Sequence, residues 1–163
     1  MEMDLDILLR HQDAEEFDLF RAIADMGVHY SERPLPGSES GRIWRDGSRF
    51  TILVNSRLPA GRRRFSAAHQ LAHYMFLRDL LPDHGEPHVS QIFEENRELH
   101  PKAALHERQE RTAKKIAVQI MLPAAPIRRH HANGQNTEHL AALYKTTPAA
   151  MTIRLRTLSL QAN

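Results

Sequence analysis

The chain contains no cysteine among its 163 residues, which excludes disulfides and thiolate metal ligation; any metal must be held by histidine or carboxylate. A reducing compartment fits that absence. A surplus of one charge is also missing: 22 basic against 20 acidic side chains leave +2, too even to argue for nucleic acid or membrane. No run approaches the roughly 18 apolar residues of a membrane span. The opening "MEMDLDILLRHQDAEEF" is acidic and lacks the basic-then-apolar order of a secretory leader. There is no internal repeat and no low-complexity tract. A cytoplasmic protein is expected.

Hydrophobic residues make up 41% and charged residues 26%, enough for one compact domain with a core. Apolar spacing predicts helix from about Asp4 to Met26, broken near His11 to Asp13, with Gly27 as the stop. "GVHYSERPLPGSESG" reads as a short strand leading into a Pro/Gly loop. "GRIWRDGSRFTILVNS" alternates around Asp46-Gly47 and reads as a hairpin. Ser66 is the expected N-cap of a helix "AAHQLAHYMFLRDLL", and Pro82 its stop. A polar stretch to Pro101 follows, with one helical turn around "SQIFEE". Then come a long helix from Lys102 to Leu122 ended by Pro123 and Pro126, a loop "RRHHANGQN", and helices over Thr137–Tyr144 and Pro148–Leu158. The organisation expected is one domain over 1–163: a helical segment 1–26, a core 27–126 and a helix pair 135–160.

His69 and His73 lie four positions apart on the expected helix, about 40° apart around it and one turn along it. Both imidazoles can therefore reach one ion at about 2.0–2.1 Å. With eleven histidines in the chain, such a pair also arises by chance. A catalytic zinc needs a third protein ligand and an open fourth position. The long helix offers Glu107 and Glu110, with His106 nearby, and spacing alone leaves the two glutamates undecided. Ala113, three residues past Glu110, is small enough to let two helices approach and share a metal.

Two separated motifs carry a resemblance. "ILVN" ends at Asn55, "RRFSAAHQLAHY" runs from Arg63 to Tyr74, and "ERTAKKIAVQIMLP" runs from Glu110 to Pro123. Their order resembles the ImmA/IrrE metallo-endopeptidases, which read R-F-T-x-A-H-E-x-x-H and then E-R-x-A-N-x-F-A-x-x-L-L-M-P. The match extends from Gly27 to about Leu160. It implies an α+β, zincin-like fold in which a small antiparallel sheet packs on the motif helices. It also implies Zn²⁺, or Mn²⁺, on His69, His73 and Glu110. The implied partner is a protein substrate, often a helix–turn–helix transcriptional repressor whose cleavage derepresses stress or mobile-element genes.

Three positions depart from the pattern: Gln70 replaces the general-base glutamate, Lys114 an asparagine and Ile116 an aromatic residue. Glutamine keeps the shape and can hydrogen-bond a water, but it cannot accept the proton. Loss of a general base costs on the order of 10²–10⁴ in rate. An intact ligand set beside one isosteric change is what a deliberate Glu→Gln exchange leaves. A natural pseudo-enzyme that binds without cutting is the alternative.

Further candidates complete the reading. Tyr74, His84, His88, Arg128 and His130 are possible oxyanion donors, and Tyr74 fits packing better. The strand "FTILV" is either interior or a partner for an extended substrate. Arg62, Arg63 and Arg64 form either a solvated loop or an attractor for acidic substrate. "HLAALYKTTPAAMTIRLRTL" resembles a helix–turn–helix, with Thr152, Arg154 and Arg156 as DNA contacts. The even charge balance argues against that use, and such tails pack on the catalytic helices in the family.

Overall fold

The structure, a computed structural model, describes residues 2–81, 85–86 and 100–163. Two helices open the chain, α1 (Glu2–Gln12) and α2 (Leu19–Asp25). Asp18 caps α2 by accepting a bond from the Arg21 N–H at 3.1 Å, and Gly27 ends it at φ +77°. Three strands follow: β1 (His29–Arg33), β2 (Gly41–Asp46) and β3 (Arg49–Asn55).

The hairpin β2–β3 forms as expected, with Asp46 paired to Arg49 and Gly47 at φ +63° in the turn. The sheet as a whole is mixed rather than antiparallel. Its order is β1-β3-β2, and β1 runs parallel to β3 from His29↔Thr51 to Arg33↔Asn55. The chain crosses over between β1 and β2, so β1 enters beside β3 in the same direction. Asn55 holds that crossover. Its side chain accepts from the N–H of Leu35 (3.2 Å) and of Arg57 (3.0 Å) and donates to the Glu39 carbonyl (2.9 Å). The "FTILV" strand is thus the interior one, with Ile52, Leu53 and Val54 all buried.

Helix α3 spans Ala60–Leu77 and is followed by a 3₁₀ turn, Arg78–Leu80. It starts about two turns before the expected N-cap, Ser66. Pro59 stands at its N-cap, where a fixed φ suits entry and no N–H is needed. Ser66 is buried inside the helix, and its hydroxyl donates to the Ser40 carbonyl at 3.0 Å. The turn expected around "SQIFEE" lies outside the described residues. Helix α4 (His100–Met121) packs along α3. Ala68 and Ala72 on α3, with Ala113 and Ala117 on α4, are fully buried and keep the helices close.

The "RRHH" segment is helical rather than loop: α5 spans Ala124–Ala132. Pro126 sits in its first turn, where a missing N–H breaks no helical bond. Helices α6 (Thr137–Leu143) and α7 (Pro148–Thr157) follow, capped by Asn136 and Thr147. The last carbonyls of the α4 segment are held from both chain ends. Gln12 donates to Ile120 O at 2.9 Å, and Arg154 donates to Leu122 O at 2.9 Å. No helix among the described residues is long and apolar enough to cross a membrane.

Candidate metal centre

Helix α3 buries Ala67, Ala68, Leu71, Ala72 and Met75, which leaves His69 and His73 on its flank toward α4. There the Glu110 carboxylate meets both. His69 Nε2 lies 3.0 Å from one oxygen and His73 Nε2 lies 2.9 Å from the other. The two Nε2 atoms are 3.3 Å apart. Atoms held tetrahedrally around zinc at about 2.0–2.1 Å lie about 3.3 Å from one another, so three corners of such a site are preset. Two imidazoles and a carboxylate also match the donor set of a catalytic zinc with one open position. Among the described residues this is the one group of His and acidic side chains close enough to share an ion.

Hydrogen bonds from His69 and then His73 hold the Glu110 carboxyl well below the usual carboxylate range, against the opposing effect of burial. Glu107 has a different fate. Its side chain is 70% exposed and pairs with Arg111 at 3.6 Å. The side chain of His106 lies outside the description.

Gln70 is 7% exposed and turns about 100° from His69, toward the sheet. Its neighbours include two residues that sequence reasoning passed over as site elements. Ser66 clips α3 to the start of β2 through Ser40, and Gly41 lets the strand come close. A methyl group on Gly41 would stand 2.6 Å from Ser66 Oγ, 2.9 Å from Leu53 O and 3.5 Å from Gln70 Nε2. The signal was present as a glycine opening an otherwise β-rich run.

Beyond the sheet edge, the Gly85 N–H donates to Arg45 O at 3.1 Å, and Glu86 pairs with Arg33 and with Arg42 (2.7 Å). Arg42 also pairs with Glu39. Residues 85–86 therefore lie against β2.

The remaining candidates divide by what they touch. Tyr74 donates to Asp4 at 3.2 Å, stacks edge-on with Phe50, and has Arg78 over its ring, which is a packing role. His130 packs edge-on against Tyr144, and Arg128 is exposed, both on α5. His84 and His88 lie outside the described residues. The three arginines before the motif do not act as one patch. Arg64 is buried over the Phe17 ring, Arg63 pairs with Glu32 at 3.2 Å, and Arg62 is exposed. Arg154, expected as a DNA contact, is buried with its guanidinium on Leu122 O, and that burial lowers its pKa. Only Thr152 and Arg156 of that set reach solvent.

A family model described as Peptidase M78, an IrrE N-terminal-like domain, matches residues 23–156. A solved structure described as a Mycobacterium tuberculosis transcriptional regulator is similar in fold. Its TM-score is 0.58 at 18% identity, over 94% of this chain and 46% of that one. The chain thus spans under half the length of that neighbour. No protein with curated function matches it.

Proposed function

The chain belongs to the Peptidase M78 family of IrrE N-terminal-like domains, and we propose that it is built as a zinc-dependent endopeptidase, impaired by Gln70, acting on a protein substrate. The observation that carries this reading is the convergence of His69, His73 and Glu110, from two helices far apart in sequence, at distances of 2.9–3.3 Å. These three residues would hold the ion. Zinc fits the set, and manganese is the alternative for mixed nitrogen and oxygen ligation.

When bound, a divalent ion supplies Lewis acidity to the scissile carbonyl and the attacking water. The chain's own residues do the rest. Gln70 would hydrogen-bond that water through its carboxamide oxygen, but could not take its proton or pass one to the leaving amine. Cleavage by the glutamine form is expected about 10²–10⁴ below that of a glutamate form. An extended substrate segment pairs with β2, the edge strand on the Gln70 side, at Ile43, whose backbone groups point away from β3, while the same edge at Arg45 is already bonded by the Gly85 N–H.

The substrate class we favour is a helix–turn–helix transcriptional repressor, in the cytoplasm. Family resemblance supports it, and a fold neighbour called a transcriptional regulator is compatible with it. The test combines metal content with cleavage. The Gln70→Glu chain should carry one zinc and cut its repressor, and His73→Ala should abolish the cut. Stoichiometric zinc without cleavage of any candidate defeats the peptidase reading. A second reading, a binding-only pseudo-enzyme, is favoured by Gln70 itself. It expects the partner to be held yet uncut after Gln70→Glu. Sequence-specific DNA binding loses support because Arg154 is occupied within the fold.

A further inference from the structure

Strand β2 is an edge of the sheet, and the hairpin register decides which of its backbone groups face outward. Asp46 and Arg49 flank a two-residue turn and exchange bonds, and at the other end the Asn55 N–H donates to Ser40 O at 2.9 Å. Arg42 and Trp44 between them therefore bond β3, while Gly41, Ile43 and Arg45 turn their N–H and C=O groups out. These three rungs differ. Arg45 O accepts the Gly85 N–H at 3.1 Å, whereas the outward groups of Gly41 and Ile43 have no partner among the described residues.

Gly85 makes that bond at φ +68°, a conformation that favours glycine. Glu86 then fastens the segment: its carboxylate pairs with Arg42 at 2.7 Å and also with Arg33. The Arg42 side chain is only 10% exposed, so its pair with Glu86 is largely withdrawn from water. Gly41 faces Ser66 on α3, so the next residue, Arg42, faces away from α3. Val54, opposite Gly41, shares its face, so Asn55 and its register partner Arg33 also face away. Residues 85–86 thus run from the rim of β2 to the far side of the sheet, and none of their partners is His69, His73 or Glu110.

We propose that Gly85 and Glu86 form a clasp that closes the Arg45 rung and so ends the pairing of an extended substrate with β2 at Ile43. The proposal rests on the reading that substrate adds to this edge. An edge strand takes a peptide where its outward groups are open. Here Gly41 and Ile43 are open and Arg45 is taken, so a substrate gains backbone bonds over two rungs and none for length beyond them. The clasp is therefore a specificity-determining element, since it sets how much of an extended segment counts toward affinity. Its hold is ionic and lies off the ligands, so it can be released with the metal centre intact.

Binding tests this without turnover, so the Gln70 chain serves as it stands, loaded with zinc. The probes are uncharged alanine–threonine peptides of increasing length, with a hydroxamic acid, which chelates divalent ions, at one end or the other. Their affinities, read by titration calorimetry, should rise with length and then level off. Glu86→Lys sets a cation against Arg33 and Arg42, and Gly85→Pro removes the donor of the Arg45 bond. Both variants should keep the zinc content of the parent. In one series their longest peptides should bind about fivefold tighter or more, the gain from one further rung, while the shortest are unchanged. Hydrogen exchange reads the clasp independently: the Gly85 amide should exchange at least about tenfold faster in Glu86→Lys than in the parent. A Gly85 amide unprotected in the parent, or long-peptide affinities equal in the parent and both variants, overturns the clasp while the metal centre stands. Affinities independent of length in every chain overturn pairing at β2 and the clasp with it. Zinc-loaded chain that binds no hydroxamate removes the metallopeptidase reading as well.

Discussion

Gly41→Ala adds one methyl group where β2 meets α3, and the structure decides its sign. Gly41 has no positive φ, so alanine is free to adopt its backbone conformation, and only the neighbours matter. Loss of glycine's freedom in the unfolded chain favours the variant by about 0.4–1 kcal/mol. Against that, the new Cβ would stand 2.6 Å from Ser66 Oγ and 2.9 Å from Leu53 O. The hydroxyl can rotate, but the carbonyl belongs to the central strand and cannot yield alone. Overpacking of this kind costs about 1–3 kcal/mol. The clash wins, leaving a net loss of about 1–2 kcal/mol. With a urea m-value near 2 kcal/mol/M, the midpoint should fall by about 0.5–1 M. Gly61→Ala is the control. Gly61 lies in the first turn of α3 with nothing within 4 Å of the added group, so that variant should be up to about 1 kcal/mol more stable. Adding Ser66→Ala to Gly41→Ala should recover only part of the loss, because the carbonyl contact remains. A midpoint unchanged or raised in Gly41→Ala would refute the close approach of strand and helix.

Three further outcomes are expected. The depressed Glu110 carboxyl stabilises the metal-free fold above the ordinary carboxylate range of about 4.3, and that contribution is lost as pH falls below it. Glu110→Gln should flatten the difference between metal-free melts at pH 7 and pH 3; an unaltered difference would show that the carboxylate is not held by the histidines. Arg154→Met leaves the Leu122 carbonyl unpaired and should cost about 1–3 kcal/mol in chemical denaturation, whereas exposed Arg156→Ala should stay within about 0.5 kcal/mol. Comparable effects of the two would refute the hold of Arg154 on Leu122 O. Gln70→Glu should leave zinc content unchanged while raising peptide cleavage by about 10²–10⁴, read by mass spectrometry of the products.

The parts legible in sequence were those with local causes. Helix periodicity put both histidines on one face, and Asp46-Gly47 announced the hairpin. The choice between Glu107 and Glu110 is invisible to spacing, because both occupy the same helix and only its packing on α3 partly buries one and leaves the other exposed. The family pattern names Glu110, and its carboxylate lies 3.0 Å from His69 Nε2 and 2.9 Å from His73 Nε2. The parallel pairing of β1 with β3 depends on a crossover of residues 34–40, whose hydrogen bonds to Asn55 carry no periodic signal. Ser66 reads as a cap because serine usually serves there, yet its hydroxyl found a strand carbonyl instead. Arg154 looks like a groove-reading arginine in a helix–turn–helix pattern. Burial against the end of α4 gives it a different task.

Gln12 and Arg154 come from opposite ends of the chain and tether neighbouring carbonyls at the end of the Glu110 helix. A fragment trimmed to residues 23–156 would retain every ligand and both motifs, yet it would discard Gln12 and leave Ile120 O without its side-chain donor. Expression boundaries for this protein are therefore better drawn outside α1 than at the edge of the recognisable motif.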